Sequence, residues 1–580
     1  VPFQRITGFD GAEVRACFCP LDKEFLDYTR DMVTLFSKTN PDFLFIDDDV
    51  RLENHAPVRW ACACPLHVEH FNQHANRHDS REEIFEAMKG DDSLGFTVRK
   101  AWQDSGRESI LALMRTIREA IDSVDPTIRC GKCVSGSRDH LYLEDIARTL
   151  AGGTVPFMRL AGASYMQRGY QYYAPIMTEI IGQKNTLSDD VEILCEGDTC
   201  FHTRYHTPIK HLRGYIAGAI MVAGIDTPYT FIPGTVEWIP SDVEAFSRML
   251  KDNVPFFAEC KNVYKNTRWL GPSVICTGQW RINRPWNESE IEHDSFREWG
   301  GDLCGRLGIP FTVNNFESPV CMLNGYQSVY DLNEEELKTV FSKGVILDGT
   351  VALVLCQRGY GKWIGVDVRE GDNELRYFYE KFSADTEYNG NMTGKYSYAT
   401  GSKPERMKWL TPLNDSVRIA SSLIGAPWAD SPDQNIVAPA LTLFENELGG
   451  RVAVYAHEIS SYMIAAAFLS DIRKEQLIKI MAWTGRQPLP AVTHTGVDTY
   501  FQYGYDDVAK EHIAAVFNVG QDDMSPLPIR FDFGKPTAVR KLADNGQWEA
   551  VSFEYKDGLT LLNVCVEPMK PLALRVSATE

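Results

Sequence analysis

Residues 1–268 predict a (β/α)8-type barrel, on three observations. Short apolar runs bounded by Gly, Pro or Asp alternate with amphipathic stretches of helical period. The runs are nearly continuous in apolar residues, as parallel strands covered by helices are. Their C-terminal ends carry acidic and polar residues, where a barrel places its chemistry.

The expected strands are Val14–Cys19, Asp42–Asp47, Thr127–Val134, Pro156–Leu160, Val191–Glu196 and Thr227–Ile232. Helical stretches separate them at Asp22–Lys38, Ser93–Ser123, Leu141–Leu150, Tyr170–Gly182, Pro208–Ala223 and Pro240–Val263. A closed barrel of this kind needs eight strands. Six are legible, so the first two βα units are expected to be missing from this chain.

From Pro272 the pattern changes. Ser273–Cys276 and Val320–Leu323 read as strands, Asn333–Phe341 as a helix, and Val345–Gly349 leads into the apolar run Val351–Arg358. This predicts an open, doubly wound, flavodoxin-like α/β domain over residues 269–505, interrupted by a polar insertion near 371–404. Alternation at Ile513–Phe517, Ile529–Phe533, Trp548–Tyr555 and Thr560–Val566 predicts a small antiparallel β domain over 506–580.

Composition narrows the function. With 580 residues, several domains are expected. A net charge of −20 argues against a nucleic-acid partner, which needs a basic footprint. No apolar stretch reaches the ~20 residues that cross a bilayer, so no membrane association is expected. The chain opens at Val1 without a signal-peptide pattern, and its 14 scattered cysteines fit a reducing compartment, so the expected location is the cytoplasm. No G-x-G-x-x-G or Walker A pattern occurs, so no organic cofactor is expected. The 12 Trp, 24 Tyr and 29 Phe suit either large cores or platforms for sugar rings.

Cys62-Ala63-Cys64-Pro65-Leu66-His67 places two thiols and an imidazole within one turn of chain. With Cys19 they make a Cys3His set suited to a structural zinc, Cys17 being the fallback fourth ligand. Asp47-Asp48-Asp49 closes the run Phe43–Ile46, and Glu196 closes Val191–Cys195. Two carboxylates from separate strand ends are the minimum equipment for glycoside hydrolysis, one protonating the leaving oxygen and the other attacking the anomeric carbon or activating water. Each acid alone would equally suit a loop or a helix cap. Arg51, Asn54 and His55 follow the aspartates and suit either sugar hydroxyls or loop scaffolding. Tyr165, His202, Tyr205, Glu237 and Trp238 lie just past strand ends, and Trp238 is the best candidate for a sugar platform. Cys130-Gly131-Lys132-Cys133 reads as strand, and Cys195 and Cys200 as buried thiols.

Several stretches resemble glycoside hydrolase family 42 of clan A. ACFCPLDKEFLDYTRDMV is similar to that family's third strand and helix, and FLFIDDDVRL to its fourth strand, which ends in Asp-Asn-Glu. CACPLH is similar to its zinc loop, with His67 in the last ligand position. PIKHLRGYIAGAIMVAGIDTPYTFI resembles its seventh helix and eighth strand, and VILDGTVALVLCQRGYG the opening of its trimerisation domain. The chain looks like a divergent relative, nearer to the family-164-like trimeric β-glycosidases.

The resemblance implies a retaining exo-β-glycosidase acting on a terminal β-linked sugar of a glycoside or oligosaccharide. A β-galactosidase is implied first and a β-mannosidase second. It also implies a homotrimer, Glu196 as nucleophile, Asp49 as acid/base, and Asp48 in the place of an Asn that holds the sugar 2-hydroxyl. Asp49 is shorter by a methylene than the family's Glu, which leaves the acid/base role open between Asp48 and Asp49. Two other classes stay open: a metal-dependent hydrolase using Asp47–Asp49, His55 and His67, and an inactive carbohydrate-binding or scaffold protein.

Overall fold

A computed structural model gives the fold; it describes residues 2–578 apart from 49, 54, 135–140, 163–172, 198–202, 231–238, 287–297, 373–374, 390–393, 403–406 and 429–430. Asp49, Asn54, Tyr165, Cys200, His202, Glu237 and Trp238 lie outside the described residues.

The chain opens with an antiparallel hairpin, β1 (Arg5–Thr7) and β2 (Glu13–Phe18). Helix α1 (Lys23–Ser37) follows, capped by Asp22, whose carboxylate accepts from the Phe25 amide. Five parallel strands then pair in strict sequence order: β3 (Phe43–Ile46), β4 (Arg129–Cys133), β5 (Phe157–Leu160), β6 (Glu192–Gly197) and β7 (Thr227–Thr230). Between β3 and β4 come α2 (Pro65–Ala75), α3 (Arg81–Met88) and the long α4 (Ser93–Asp122). Helices α5 (Leu143–Ala151), α6 (Tyr173–Lys184) and α7 (Ile209–Met221) cross between the later strands, and α8 (Pro240–Tyr264) closes the unit. The apolar helix faces and strands share one continuous core.

Gly131 lets β4 and β5 approach. A Cβ there would stand 2.4 Å from the Phe157 carbonyl oxygen, so a side chain would force the strands apart.

One expectation is corrected. The expected first barrel strand, Val14–Cys19, pairs antiparallel with β1, so the described parallel ladder has five strands rather than six. Only Val14 of its six residues is buried, which suits a hairpin arm and not a strand buried on both faces. Helices α2 and α3 lie outside the expected helical stretches, although Ser80-x-x-Glu83 spells the capping box that starts α3. The polar insertion near 371–404 is also part of a sheet. Strands Arg376–Phe382 and Gly394–Ser402 extend the middle domain's nine-stranded sheet, joining it through Arg418–Ala426. Phe382, Tyr377 and Glu380 are buried there, the carboxylate held by Arg473.

The other half of that sheet is parallel, ordered Thr312–Val313, Ser273–Val274, Val320–Leu323, Gly344–Leu347 and Arg451–Tyr455. The C-terminal strands form two antiparallel sheets of four and six strands. One edge of the larger is β8 (Thr267–Leu270), paired with Thr499–Asp506. Both strands run across the expected boundaries at 268/269 and 505/506, tying the start of the middle segment to the C-terminal sheet. Among the described residues no helix is long and apolar enough to cross a membrane.

Candidate functional site

Glu196 sits one residue before the end of β6, with only 6% of its surface exposed. A buried carboxylate needs a partner, and β5 supplies it. Arg159 Nη1 lies 2.7 Å from Glu196 Oε1, and Nη2 lies 4.0 Å from Asp48 Oδ2, just past the end of β3. One guanidinium therefore joins acids from two strand ends. Burial works against the Arg159 charge, but Glu196, Cys133 and Asp48 outweigh it and hold the guanidinium above its usual range.

Tyr215 on α7 donates its hydroxyl to the Glu196 carbonyl and lies 3.0 Å from Cys195 Sγ. Burial pushes the Cys195 thiol up to about 12, so it is no nucleophile at neutral pH. Lys132, wholly buried on β4, sits in register between Ile46 and Met158. Arg159 and Lys132 are the charges that the sequence reasoning missed. The available signal was a cation inside an otherwise apolar strand, which burial tolerates only where an anion faces it.

Of the other expected substrate-facing residues, Arg51 and His55 bond into their own loop. Arg51 Nη1 donates to the Asp48 carbonyl at 3.1 Å, His55 Nε2 lies 3.1 Å from the Arg51 carbonyl, and His55 Nδ1 lies 3.5 Å from Cys17 Sγ. Those contacts brace the loop that carries Asp48. Tyr205 is 97% exposed.

The second site is the cysteine cluster. The ligand atoms of Cys19, Cys62, Cys64 and His67 all lie within 4.8 Å of one another and all four residues are buried, a set that could hold a metal ion. Cys17 is engaged with His55 instead. Cys19 Sγ is 3.2 Å and Cys64 Sγ 3.7 Å from His67 Nδ1. Hydrogen bonds from Cys19 and Cys62 hold the Cys64 thiol far below its usual range, while contact with Cys62 and Cys64 drives Cys19 up.

Ser109 on α4 orients the imidazole. Its hydroxyl donates its one proton to the Gly106 carbonyl at 2.7 Å, so at 3.0 Å it accepts from His67 Nε2–H. That assigns the tautomer whose Nδ1 lone pair faces the sulfurs, the arrangement a metal ligand requires.

No protein-family model matches the chain, and no curated protein matches it by sequence. Solved structures do. An α-L-fucosidase isoenzyme 2 from Paenibacillus thiaminolyticus aligns over 99% of this chain and 85% of its own, with TM-score 0.64 at 13% identity. A β-galactosidase from Bacillus circulans sp. alkalophilus aligns over 99% and 86%, with TM-score 0.60 at 11% identity. A catalytic mutant of a GH42 β-galactosidase from G. stearothermophilus aligns over 99% and 85%, with TM-score 0.59 at 9% identity. The chain has the fold of these glycosidases. That fold carries both halves of the molecule, so the α/β segment beyond Pro272 is part of the shared architecture.

Proposed function

We propose that this chain is a retaining exo-β-glycosidase, with β-galactosides as its first substrate class and β-mannosides as its second. The observation that carries it is the Glu196–Arg159–Asp48 arrangement across strand ends β6, β5 and β3, in a fold shared with β-galactosidases. A carboxylate beside a guanidinium is favoured in its ionised form, which suits Glu196 to attack the anomeric carbon. The same proximity suits Asp48 to accept from a sugar hydroxyl rather than to give up a proton. The acid/base role is therefore assigned to Asp49, as the resemblance implies. It protonates the leaving oxygen and then takes a proton from the incoming water.

The parallel sheet is taken as part of a β/α barrel, with domains over 1–268, 269–505 and 506–580 and a homotrimer formed through the middle one. The Cys3His cluster is assigned to zinc, because three thiols and one imidazole in a closed, buried set suit a structural Zn²⁺. The metal would tie the hairpin to the loop after β3 and so fix the strand end that bears the aspartates. A metal-dependent hydrolase is disfavoured, since His67 faces thiols and His55 faces Cys17 and a carbonyl. A fucoside substrate is a second reading, supported by the likeness to the α-L-fucosidase.

A panel of aryl β-galactoside, β-mannoside and α-L-fucoside, assayed with wild type and Glu196→Gln, tests the proposal. Release of the aryl group from the β-galactoside or the β-mannoside by wild type alone supports it, and release from the α-L-fucoside alone favours the second reading instead. Equal release by both proteins, or none by either, refutes it.

A further inference from the structure

A cavity of about 670 Å³ lies at the opposite end of β6 from the Glu196 carboxylate. Its walls come from the last turn of α6, the turn after α7, β8 and the first strands of the middle domain. Helices α6 and α7 feed into the N-terminal ends of β6 and β7, so this space is distinct from the carboxylate end of the sheet.

Its lining is cationic, in a chain of net charge −20. Lys184, Lys265 and Arg268 line it. The one acid, Glu317, has 95% of its side chain exposed and reaches toward Lys343. Arg268 is shared with Asp507 at 3.2 Å. The Lys184 ammonium makes no hydrogen bond or ion pair with the described residues. It is desolvated enough that burial lowers its pKa despite the nearby charges of Asp189 and Asp226. Gly224, at φ +63°, leaves the space the ammonium occupies, since a Cβ there would lie 2.7 Å from Lys184 Nζ.

Two further features point to a ligand with more than charge. Gln502 is 1% exposed; its amide donates to Tyr500, and its Oε1 has no partner among the described residues. A buried acceptor left without a hydrogen bond is costly, so it calls for a donor. Trp269, half-buried and stacked on Tyr264 at 5.9 Å and 20°, supplies an aromatic wall of the kind sugar rings pack on. The volume falls in the range of small-molecule sites.

We propose that this cavity binds an anionic monosaccharide, its phosphate or carboxylate on Lys184 and a ring hydroxyl donating to Gln502. Such a ligand supplies the anion and the hydroxyl donor together. Glucose or inorganic phosphate alone supplies one of the two.

Calorimetric titration of the full chain with glucose 6-phosphate, glucuronate, glucose and inorganic phosphate tests this. One of the two anionic sugars is expected to bind one-to-one, at least tenfold more tightly than glucose or phosphate. Which of them is tighter identifies the anionic group. Lys184→Gln should weaken that binding tenfold or more without shifting the thermal melt. If that variant does not fold, the rim variant Lys265→Gln/Arg268→Gln decides, with a loss of threefold or more expected. Equal affinity for glucose, unchanged affinity in the lysine variant (or in the rim variant where that decides), or no binding at 10 mM of either sugar anion (roughly the weak end of specific binding) overturns the proposal.

Discussion

Arg159 Nη1 sits 2.7 Å from Glu196 Oε1, with both side chains more than nine-tenths buried. Removing one member of a buried pair leaves an uncompensated charge and typically costs ~3–5 kcal/mol. Arg159→Met is therefore expected to destabilise the chain by about 3 kcal/mol in urea denaturation. Adding Glu196→Gln should recover most of that loss, because the orphaned charge is gone. Additive losses in the double variant would show that the two groups are not coupled.

Glu196→Ala is expected to lower turnover of an activated aryl glycoside by roughly 10⁴-fold or more, as loss of a nucleophile does. Azide should restore turnover and give the glycosyl azide of inverted configuration, because a small anion can occupy the carboxylate's place. NMR of the product decides. Rescue without an azide adduct would make Glu196 a general base.

Apart from α2 and α3, the sequence made the helices and the five parallel strands of the first unit legible to within a few residues, because those strands are short runs bounded by turn residues and each long helix keeps its period. The buried Cys3His cluster was legible too, since C-x-C-x2-H confines three of its members and leaves few thiols for the fourth. Arg159 was not. Its meaning depends on Glu196 in the next strand, a pairing across 37 residues of chain that no local pattern announces. The role of β2 was misjudged for a similar reason. A six-residue run does not say which neighbour it pairs with, and here the short turn back to β1 won. The strands of the 371–404 segment were hidden by its frequent Gly, Asn and Ser, yet buried Tyr377, Glu380 and Phe382 tie Arg376–Phe382 to the sheet.

Metal analysis of the purified chain is expected to find one zinc per chain, held by Cys19, Cys62, Cys64 and His67. Ser109→Ala should keep the four ligands but free the imidazole to turn, weakening zinc by ~10–100-fold in competition with a chromophoric chelator. Cys62→Ser should lose the metal and lower the melting temperature more than Ser109→Ala. An unchanged affinity in Ser109→Ala would mean that the imidazole is oriented by something else.

Burial lowers the pKa of His211, on α7, from 6.5 to about 4. Between those values the unfolded chain binds the proton and the folded chain does not. The neutral histidine's contribution is therefore fully present above pH 6.5 and is lost as pH falls toward 4. His211→Leu should flatten the dependence of unfolding free energy on pH in that window, by up to about 1.4 kcal/mol per pH unit. Parallel slopes for the two proteins would contradict the shift.

Asp49 follows directly on Asp48, whose carboxylate is already drawn to Arg159 at 4.0 Å. Two neighbouring acids with one guanidinium between strand ends divide naturally into a charged partner and a proton carrier. Replacing Asp49 by Asn should cut turnover of alkyl or disaccharide substrates by ~10²–10⁴-fold, the usual contribution of a general acid. Activated aryl glycosides, whose leaving groups need no proton, should lose far less in glycosylation. Asp48→Asn should instead raise KM for both classes, since it alters a contact to the sugar and not the proton transfer. A plot of rate against leaving-group pKa separates the two cases. A steep slope for Asp49→Asn and a wild-type slope for Asp48→Asn fit the assignment. The reverse pattern would move the acid/base role to Asp48, and its approach to Arg159 would then have to open before the proton could be held.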